Sequence, residues 1–262
     1  MSEQLVATLP GSGLILVRPK YPENIGAAAR IACNFGIEHL TVVADERPDQ
    51  ERMLKMATHK AAHLIENLQL TADSRTAAAP YHFLVATTAR QGKYRTVEDK
   101  PPREVMSQLV PLLTAGNRVA LMFGPESSGL SNEDLDLCQF TSTIATADFS
   151  SLNLAQAVAI CCYELFMAAG NPVPTTSSSG YANSHELEGM YEHIEQALTR
   201  ISFIHDTSRS YWMRNIRQFL SRTRIKKKEA SLIRGVCRKF LWHSGGQGWA
   251  PPEQATTDTE SP

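Results

Sequence analysis

The sequence predicts an α/β protein whose parallel sheet is followed by a small α-helical extension. In the first two-thirds of the chain, short apolar runs alternate with helical patterns, which is typical of a parallel sheet covered by helices on both faces. Residues 170–184 are rich in Pro, Ser, Thr and Gly and lack apolar periodicity, as expected for a linker. Beyond them, apolar residues recur at three- and four-residue steps, which indicates helices.

Each predicted strand is a short apolar run, and the helical patterns lie between these runs. The strands are predicted at residues 14–17, 40–43, 82–86, 118–123 and 141–145. The helices are predicted at residues 25–34, 51–64, 103–113 and 153–168. In addition, Ser131-x-x-Asp134 resembles a capping box and predicts the start of a short helix.

Three further helical patterns cover residues 187–201, 211–222 and 232–241. The end of the chain is polar, Pro-rich and acidic, which is typical of a disordered tail. The predicted organisation is an α/β domain at 1–169, a linker at 170–184, a basic helical extension at 185–243 and a disordered tail at 244–262.

The composition excludes several classes of protein. No run approaches 18 uninterrupted apolar residues in a chain of 262, which excludes a transmembrane helix. The first ten residues carry Glu3 and no basic residue, so we expect no signal peptide. The five cysteines form no CxxC pair, which favours a reducing cytoplasm over a disulfide framework or zinc ribbon. His59 and His63 share a helix face but have no third ligand at suitable spacing, so no metal is expected.

The net charge of −1 conceals a strong asymmetry. Residues 200–239 contain twelve Lys and Arg against two acidic residues, whereas the remaining residues carry a net charge of −11. A basic stretch attracts polyanions, and Tyr211 and Trp212 within it favour RNA as the partner. The alternative is that this stretch balances the acidic remainder across an interdomain or dimer interface.

Three segments with unusual composition follow predicted strands, where ligands bind in open α/β sheets. The first contains Asn24, Gly26 and Arg30. Its small Ala/Gly helix surface allows close approach of a backbone or a ligand, and an arginine beside it could bind a phosphate. A solvated arginine on an ordinary helix explains this fragment equally well. The second, residues 123–130, has glycines that permit a tight turn around a ligand, and it is neither a Walker A loop nor a nucleophile elbow. The third, residues 150–153, offers hydroxyls and free backbone N–H groups, or simply a helix cap.

In this order the three segments resemble the motifs of the SPOUT RNA methyltransferases, within their TrmH/TrmJ branch. The first motif corresponds to N-x-G-x-x-x-R, the second to F-G-x-E-x-x-G-L and the third to S-L-N-L. Thr87-Thr88-Ala89-Arg90 is similar to a further loop of that branch. The resemblance covers about residues 12–168, and the basic helices to about residue 243 are similar to its C-terminal extension.

The resemblance implies a SPOUT fold, a parallel sheet with a C-terminal trefoil knot, which is a rare exception to unknotted topology. It also implies S-adenosylmethionine as the cofactor. The residues implied to bind the cofactor are Thr87, Thr88, Ala89, Gly124, Ile144, Ser150, Ser151 and Leu152.

The implied reaction is transfer of a methyl group to a ribose 2′-hydroxyl in tRNA, at nucleotide 32 of the anticodon loop, C or U. Because a guanidinium is a poor proton acceptor, we assign Arg30 to orienting the target phosphate, with Asn24 orienting Glu126 by a hydrogen bond. The catalytic residues implied are Arg30, Asn24, Glu126, Ser151 and Asn153. The RNA contacts implied are Arg30, Arg90, Arg222, Arg224, Lys226, Lys227 and Lys228.

A homodimer is expected, because residues 155–166 are apolar nearly all round and would leave apolar surface exposed in a monomer. The resemblance further implies that the knots pack together, so that Arg30 serves the cofactor of the partner subunit. Two alternatives remain open for the function. One is an rRNA 2′-O-methyltransferase of the same fold, and the other is a catalytically silent RNA-binding module.

Overall fold

A computed structural model describes residues 9–88, 100–148, 151–170 and 180–246. The described strands are β1 Leu9–Val17, β2 Ile37–Val43, β3 Gln69–Thr71, β4 Phe83–Thr87, β5 Val119–Phe123 and β6 Phe140–Ser142. The helices of the first domain are α1 Pro22–Asn34, α2 Gln50–Glu66, α3 Ser74–Ala78, α4 Pro102–Thr114, α5 Asn132–Asp136 and α6 Leu154–Gly170. The extension contains α7 Ser184–Arg200, a 3₁₀ turn Asp206–Ser208, α8 Arg209–Ser221 and α9 Lys227–Gly246.

The six strands form one sheet in the order β3-β2-β1-β5-β4-β6, and every pairing is parallel. The predicted α/β class is therefore confirmed. Strands β2 and β3 lie on one side of β1, and the later strands β4, β5 and β6 lie on its other side. The strand order therefore reverses at β1 and β5, which form a topological switch point. Ligands of open α/β sheets bind beyond the carboxyl ends of the strands at such a point.

The apolar runs of the strands supply two cores because successive side chains point to opposite faces of the sheet. Leu14 and Leu16 belong to the core beneath α1, α2, α4 and α6. Ile15 and Val17 belong to the core on the other face, with Tyr81 and residues of α3. Both faces are buried, which explains why the strands are continuously apolar.

The extension has a small core of its own, which includes Met190, Tyr191 and Met213. Ser184 joins it to the first domain, because its backbone N–H and its hydroxyl both donate to the Tyr81 carbonyl, at 2.8 and 3.0 Å. Residues 180–184, inside the predicted linker, therefore belong to the packed part of the chain, while residues 171–179 lie outside the described residues. Helix α9 continues to Gly246, past the predicted start of the tail, and residues 247–262 are also outside the description.

In the described part of the chain, no helix combines the length and the apolar content needed to span a bilayer.

Candidate active site at the carboxyl edge of the sheet

A pocket of about 230 Å³ lies beyond the carboxyl ends of β4, β5 and β6, against the first turns of α6. Six of the eight predicted cofactor contacts line it: Thr87, Thr88, Gly124, Ile144, Ser151 and Leu152. The predicted contacts Ala89 and Ser150, and the predicted RNA contact Arg90, lie outside the described residues. Residues from segments that are far apart in the chain therefore line one pocket.

The lining of the pocket combines hydroxyl groups with apolar side chains. Thr87 and Ser151 contribute hydroxyls, whereas Ile144 and Leu152 contribute apolar surface. Among the described lining residues, Glu126 is the one charged side chain. Such a lining suits a ligand that has an apolar ring system and several hydrogen-bonding groups.

The loop between β5 and α5 closes tightly on itself. Gly129 has a φ of +67°, in the left-handed region that favours glycine, and its N–H donates to the Pro125 carbonyl at 2.8 Å. A β-carbon at Gly124 would lie 2.2 Å from the Leu130 nitrogen and 2.3 Å from the Gly129 carbonyl carbon. Gly124 thus permits close approach between two parts of the loop, and not only between the loop and a ligand.

A network of side-chain hydrogen bonds links all three sequence motifs. The Asn24 side-chain amide donates to Glu126 Oε1 at 2.6 Å, so the predicted Asn24–Glu126 hydrogen bond is present. The other oxygen of Glu126 accepts from the Lys20 backbone N–H at 2.9 Å. Asn153 donates to Asn24 Oδ1 at 3.1 Å, while its own side-chain oxygen accepts from the Ala155 N–H at 2.9 Å at the start of α6. Both carboxylate oxygens of Glu126 are therefore engaged in holding the loops together.

An ion pair also connects the segment after β1 to α5, and the sequence offered no signal for it beyond the capping box. Arg18, which follows β1 with a φ of +48°, donates to Asp134 at 2.9 Å. Asp134 is 3% exposed and also accepts from the hydroxyls of Ser74 and Ser131, at 2.5 and 2.7 Å. Burial alone would raise the pKa of Asp134, but these hydrogen bonds and the charge of Arg18 lower it below its ordinary value. The predicted capping box is confirmed, because the Asp134 N–H donates to Ser131.

The first motif is divided between two places. Asn24 reaches Glu126, but Arg30 is exposed on α1 and is absent from the lining of the pocket. A β-carbon at Gly26 would lie 2.0 Å from the Met53 carbonyl oxygen. The small surface of α1 at Gly26 therefore admits the backbone of α2, not a ligand.

Acidic groups neutralise part of the basic stretch. Between described residues, at least four of its twelve cations form ion pairs with carboxylates: Arg209 with Glu195, Arg214 with Asp136, Arg217 with Glu188 and Lys227 with Glu186. The pair Arg214–Asp136 joins the extension to α5 of the first domain. Charge balance across the domain junction thus accounts for Arg214. Arg209, Arg217 and Lys227 pair with carboxylates of α7 within the extension, and Lys226 and Lys228 are exposed.

No group of three or more His, Cys, Asp or Glu side chains that could hold a metal ion occurs within the described residues.

Comparison with known proteins places this geometry in a family. Residues 12–163 match the model of the SpoU rRNA Methylase family, and residues 185–248 match the "tRNA methyltransferase TrmJ, C-terminal domain". The "tRNA (cytidine/uridine/adenosine-2'-O-)-methyltransferase TrmJ" of Pseudomonas aeruginosa is 32% identical over 236 residues, covering 85% of this chain and 91% of that protein. The "Uncharacterized tRNA/rRNA methyltransferase LasT" of Escherichia coli is 33% identical over 202 residues, covering 76% and 86%.

A solved structure leads to the same result. The crystal structure of TrmJ from Z. mobilis ZM4 superposes with a TM-score of 0.74 at 29% identity, covering 87% of this chain and 98% of that chain. The resemblance to the TrmH/TrmJ branch is confirmed, and the chain belongs to the SpoU methylase family.

Proposed function

We propose that the protein is an S-adenosylmethionine-dependent methyltransferase that methylates a ribose 2′-hydroxyl of C or U in the tRNA anticodon loop, at nucleotide 32. The observation that carries this proposal is that the second and third motifs line one pocket, and that Asn24 of the first motif is hydrogen-bonded to Glu126 and Asn153 of the other two. A tRNA substrate is favoured by the extension, which matches the TrmJ C-terminal domain. A silent RNA-binding module would need none of these linked loops.

The chemistry of the lining fits the proposed cofactor. Ile144 and Leu152 offer apolar surface for an adenine ring, and Thr87 and Ser151 offer hydroxyls for its polar groups. Thr88, Gly124, Ala89 and Ser150 complete the proposed contacts. When bound, S-adenosylmethionine supplies an electrophilic methyl group. Both oxygens of Glu126 are occupied by Asn24 and Lys20, so we assign Glu126 to holding the loops and not to accepting a proton.

We infer that the arginine that holds the target phosphate is supplied across the interface of a homodimer. Arg30 is exposed and lies outside the lining of its own pocket, so a partner subunit is needed to bring an arginine to the site. On α6, Tyr163 and Met167 are 46% and 43% exposed, and the Tyr163 ring packs against Phe35, which leaves an apolar face for that contact. Arg30 of the partner subunit would hold the target phosphate and stabilise negative charge developing on the 2′-oxygen. Ser151 and Asn153 would orient the ribose from the start of α6.

The RNA is proposed to contact Arg90 and the cations after α8. These are Arg222, Arg224, Lys226, Lys228 and, beside its ion pair with Glu186, Lys227. A trefoil knot at the crossing of residues 124–130 and 150–153 remains a prediction. A tRNA substrate and five free cysteines fit a cytoplasmic protein.

The test is to incubate the purified protein with S-adenosylmethionine and tRNA from a strain lacking the gene, and to map 2′-O-methylation by nucleotide. The expected product is methylated C or U at nucleotide 32. Methylation only at nucleotide 34 would correct the position, and methylation of rRNA but not tRNA would overturn the proposed substrate. rRNA from the same strain serves as the parallel substrate.

A further inference from the structure

An exposed aromatic ring lies on the loop between β1 and α1. Tyr21 is 45% exposed, and it is the residue that precedes the first turn of α1. The Lys20 ammonium lies over this ring, 5.2 Å from the ring centroid. Exposed aromatic side chains are ordinary on protein surfaces, so the exposure of Tyr21 does not by itself indicate a function. Its rigid backbone and its position beside the candidate active site do.

The backbone that carries the ring has little conformational freedom. Pro19 and Pro22 enclose Lys20 and Tyr21, and each proline fixes its own φ. A residue that precedes proline is restricted to extended conformations, and Tyr21 has a φ of −116° and a ψ of 120°. The Tyr21 carbonyl also accepts from the Asn24 N–H at 3.0 Å. The ring is therefore carried by a preorganised loop, which lowers the entropy cost of binding.

The same loop is fastened to the wall of the cofactor pocket. The Lys20 N–H donates to one oxygen of Glu126 at 2.9 Å, and the Asn24 side chain donates to the other at 2.6 Å. Glu126 itself lines the pocket. Because consecutive Cα atoms are about 3.8 Å apart, the Tyr21 ring lies within roughly 15 Å of that carboxylate. A stacked nucleic-acid strand advances about 3.4 Å per nucleotide, so this distance corresponds to about four nucleotides.

The charges around the ring are compatible with a polyanion. Glu23 follows Tyr21 by two residues, and its two carboxylate oxygens accept from Arg52 at 2.8 and 3.0 Å. Asp134, on the other side of the loop, is paired with Arg18 at 2.9 Å. Lys20 adds an exposed ammonium on a flexible stem, which can leave the ring for a phosphate when a base stacks there.

We propose that Tyr21 is a stacking platform for one unpaired base of the substrate RNA, within a few nucleotides of the methylated ribose, and that Lys20 binds an adjacent backbone phosphate. The inference rests on the proposed function and deepens it. Proteins that recognise RNA loops stack splayed-out bases on aromatic side chains, and the proposed anticodon loop offers such bases. Every base has a π-face, so stacking tolerates different sequences. Tyr21 therefore positions the strand without selecting its sequence.

The test uses the full chain, without cofactor, and an anticodon stem-loop RNA that carries 2-aminopurine at one loop position at a time. The fluorescence of this base falls when it stacks on an aromatic ring. Wild type and Tyr21→Phe should quench the probe at one or two loop positions. Tyr21→Leu keeps apolar bulk but has no π-face, so it should not quench the probe. Tyr21→Leu and Tyr21→Ala should weaken RNA binding at least roughly fivefold, and raise the KM for tRNA with kcat nearly unchanged.

The salt dependence of RNA binding separates the two side chains. Lys20→Gln should lower the salt slope by about 0.7, the value for one phosphate contact on a single strand. Tyr21→Leu should leave the slope unchanged, because stacking releases no counterions. Leu70→Ala is the matched control, since it shortens an apolar side chain of similar exposure, 38%, on the edge strand β3. It should change neither the quenching nor the affinity.

A Tyr21→Leu variant that quenches the probe and binds RNA like wild type would overturn the stacking platform. Absence of quenching at every loop position of the wild-type complex would overturn it too, and an unchanged salt slope in Lys20→Gln would overturn the phosphate contact. If wild type stacks the probe but does not methylate tRNA, the proposed function fails and the platform stands. If Tyr21→Leu methylates tRNA with an unchanged KM, the platform fails and the proposed function stands.

Discussion

Gly124 illustrates how one residue supports both the fold and the site. Any other residue at this position would clash with the loop itself, since a β-carbon would lie 2.2 Å from the Leu130 nitrogen. The backbone of residues 124–130 forms a wall of the pocket. A side chain at Gly124 therefore distorts the pocket by moving its wall.

We expect Gly124→Ala to lower the free energy of unfolding by roughly 1–3 kcal/mol, as overpacking does, and to abolish measurable cofactor binding. Calorimetric titration with S-adenosylmethionine and urea unfolding measure the two effects. Gly170→Ala is the matched control, because a β-carbon there would meet no atom within 4 Å. Normal cofactor binding by the stable Gly124→Ala variant would contradict the wall assigned to this loop.

At the scale of elements, α5 is tied to the segment after β1 by a buried carboxylate. Asp134 accepts hydrogen bonds from Arg18, Ser74 and Ser131, which keep its pKa below the ordinary value. A group whose pKa is lower in the folded state stabilises the fold at pH values above its unfolded pKa, about 3.9 for aspartate. That stability is lost as the pH falls through the folded pKa.

We therefore expect Asp134→Asn to lower the free energy of unfolding at about pH 7 by roughly 1–3 kcal/mol. The difference from wild type should shrink below about pH 4, where the wild-type carboxylate also becomes protonated. Urea unfolding across this pH range measures it. Asp45→Asn, at an exposed position, should change stability by less than about 0.5 kcal/mol. A difference that does not depend on pH would show that the charge of Asp134 is irrelevant.

The longer elements could be predicted because their periodicity is local. Two short ones could not: β3 has one apolar residue among three, and α3 has five residues. Helix α2 also has a break at Thr58, with a φ of +60°, in a stretch whose helical pattern is continuous. A β-branched residue rarely adopts this conformation, so nothing in the residue type signals it.

The candidate site, like the fold, could be predicted only where its signal is local in the sequence. Its motifs were recognisable because each is a compact run of residues after a strand. The bonds between the motifs join Asn24 to Glu126 and Asn153, which are more than a hundred positions away, and no local pattern specifies such pairs. Arg18 was missed for this reason. The small surface at Gly26 was compatible with a backbone or a ligand, and the structure shows that it packs against the α2 backbone at Met53.

At the scale of the whole molecule, the proposed homodimer accounts for the position of Arg30. Arg30 is absent from the described lining of the pocket, and Tyr163 and Met167 are exposed on α6, where we propose that a second copy packs. In a twofold-symmetric dimer each subunit would supply both a pocket and an arginine, in two different sites. Arg30→Ala should then lower the methylation rate at least roughly 100-fold, the scale of one lost electrostatic contact, with cofactor affinity unchanged.

Mixed dimers decide whether Arg30 acts across the interface. One subunit carries Arg30→Ala, and the other carries Ile144→Glu, which puts a carboxylate into apolar surface of the pocket and blocks the cofactor. Each variant alone is inactive. If Arg30 serves the partner subunit, the mixed dimer regains one intact site, and heterodimers purified through two different tags should show about half of the wild-type activity. If Arg30 serves its own pocket, both sites of the mixed dimer lack one component and remain inactive. An active monomer by light scattering would refute the dimer itself, because a single chain would then bring Arg30 to its own pocket.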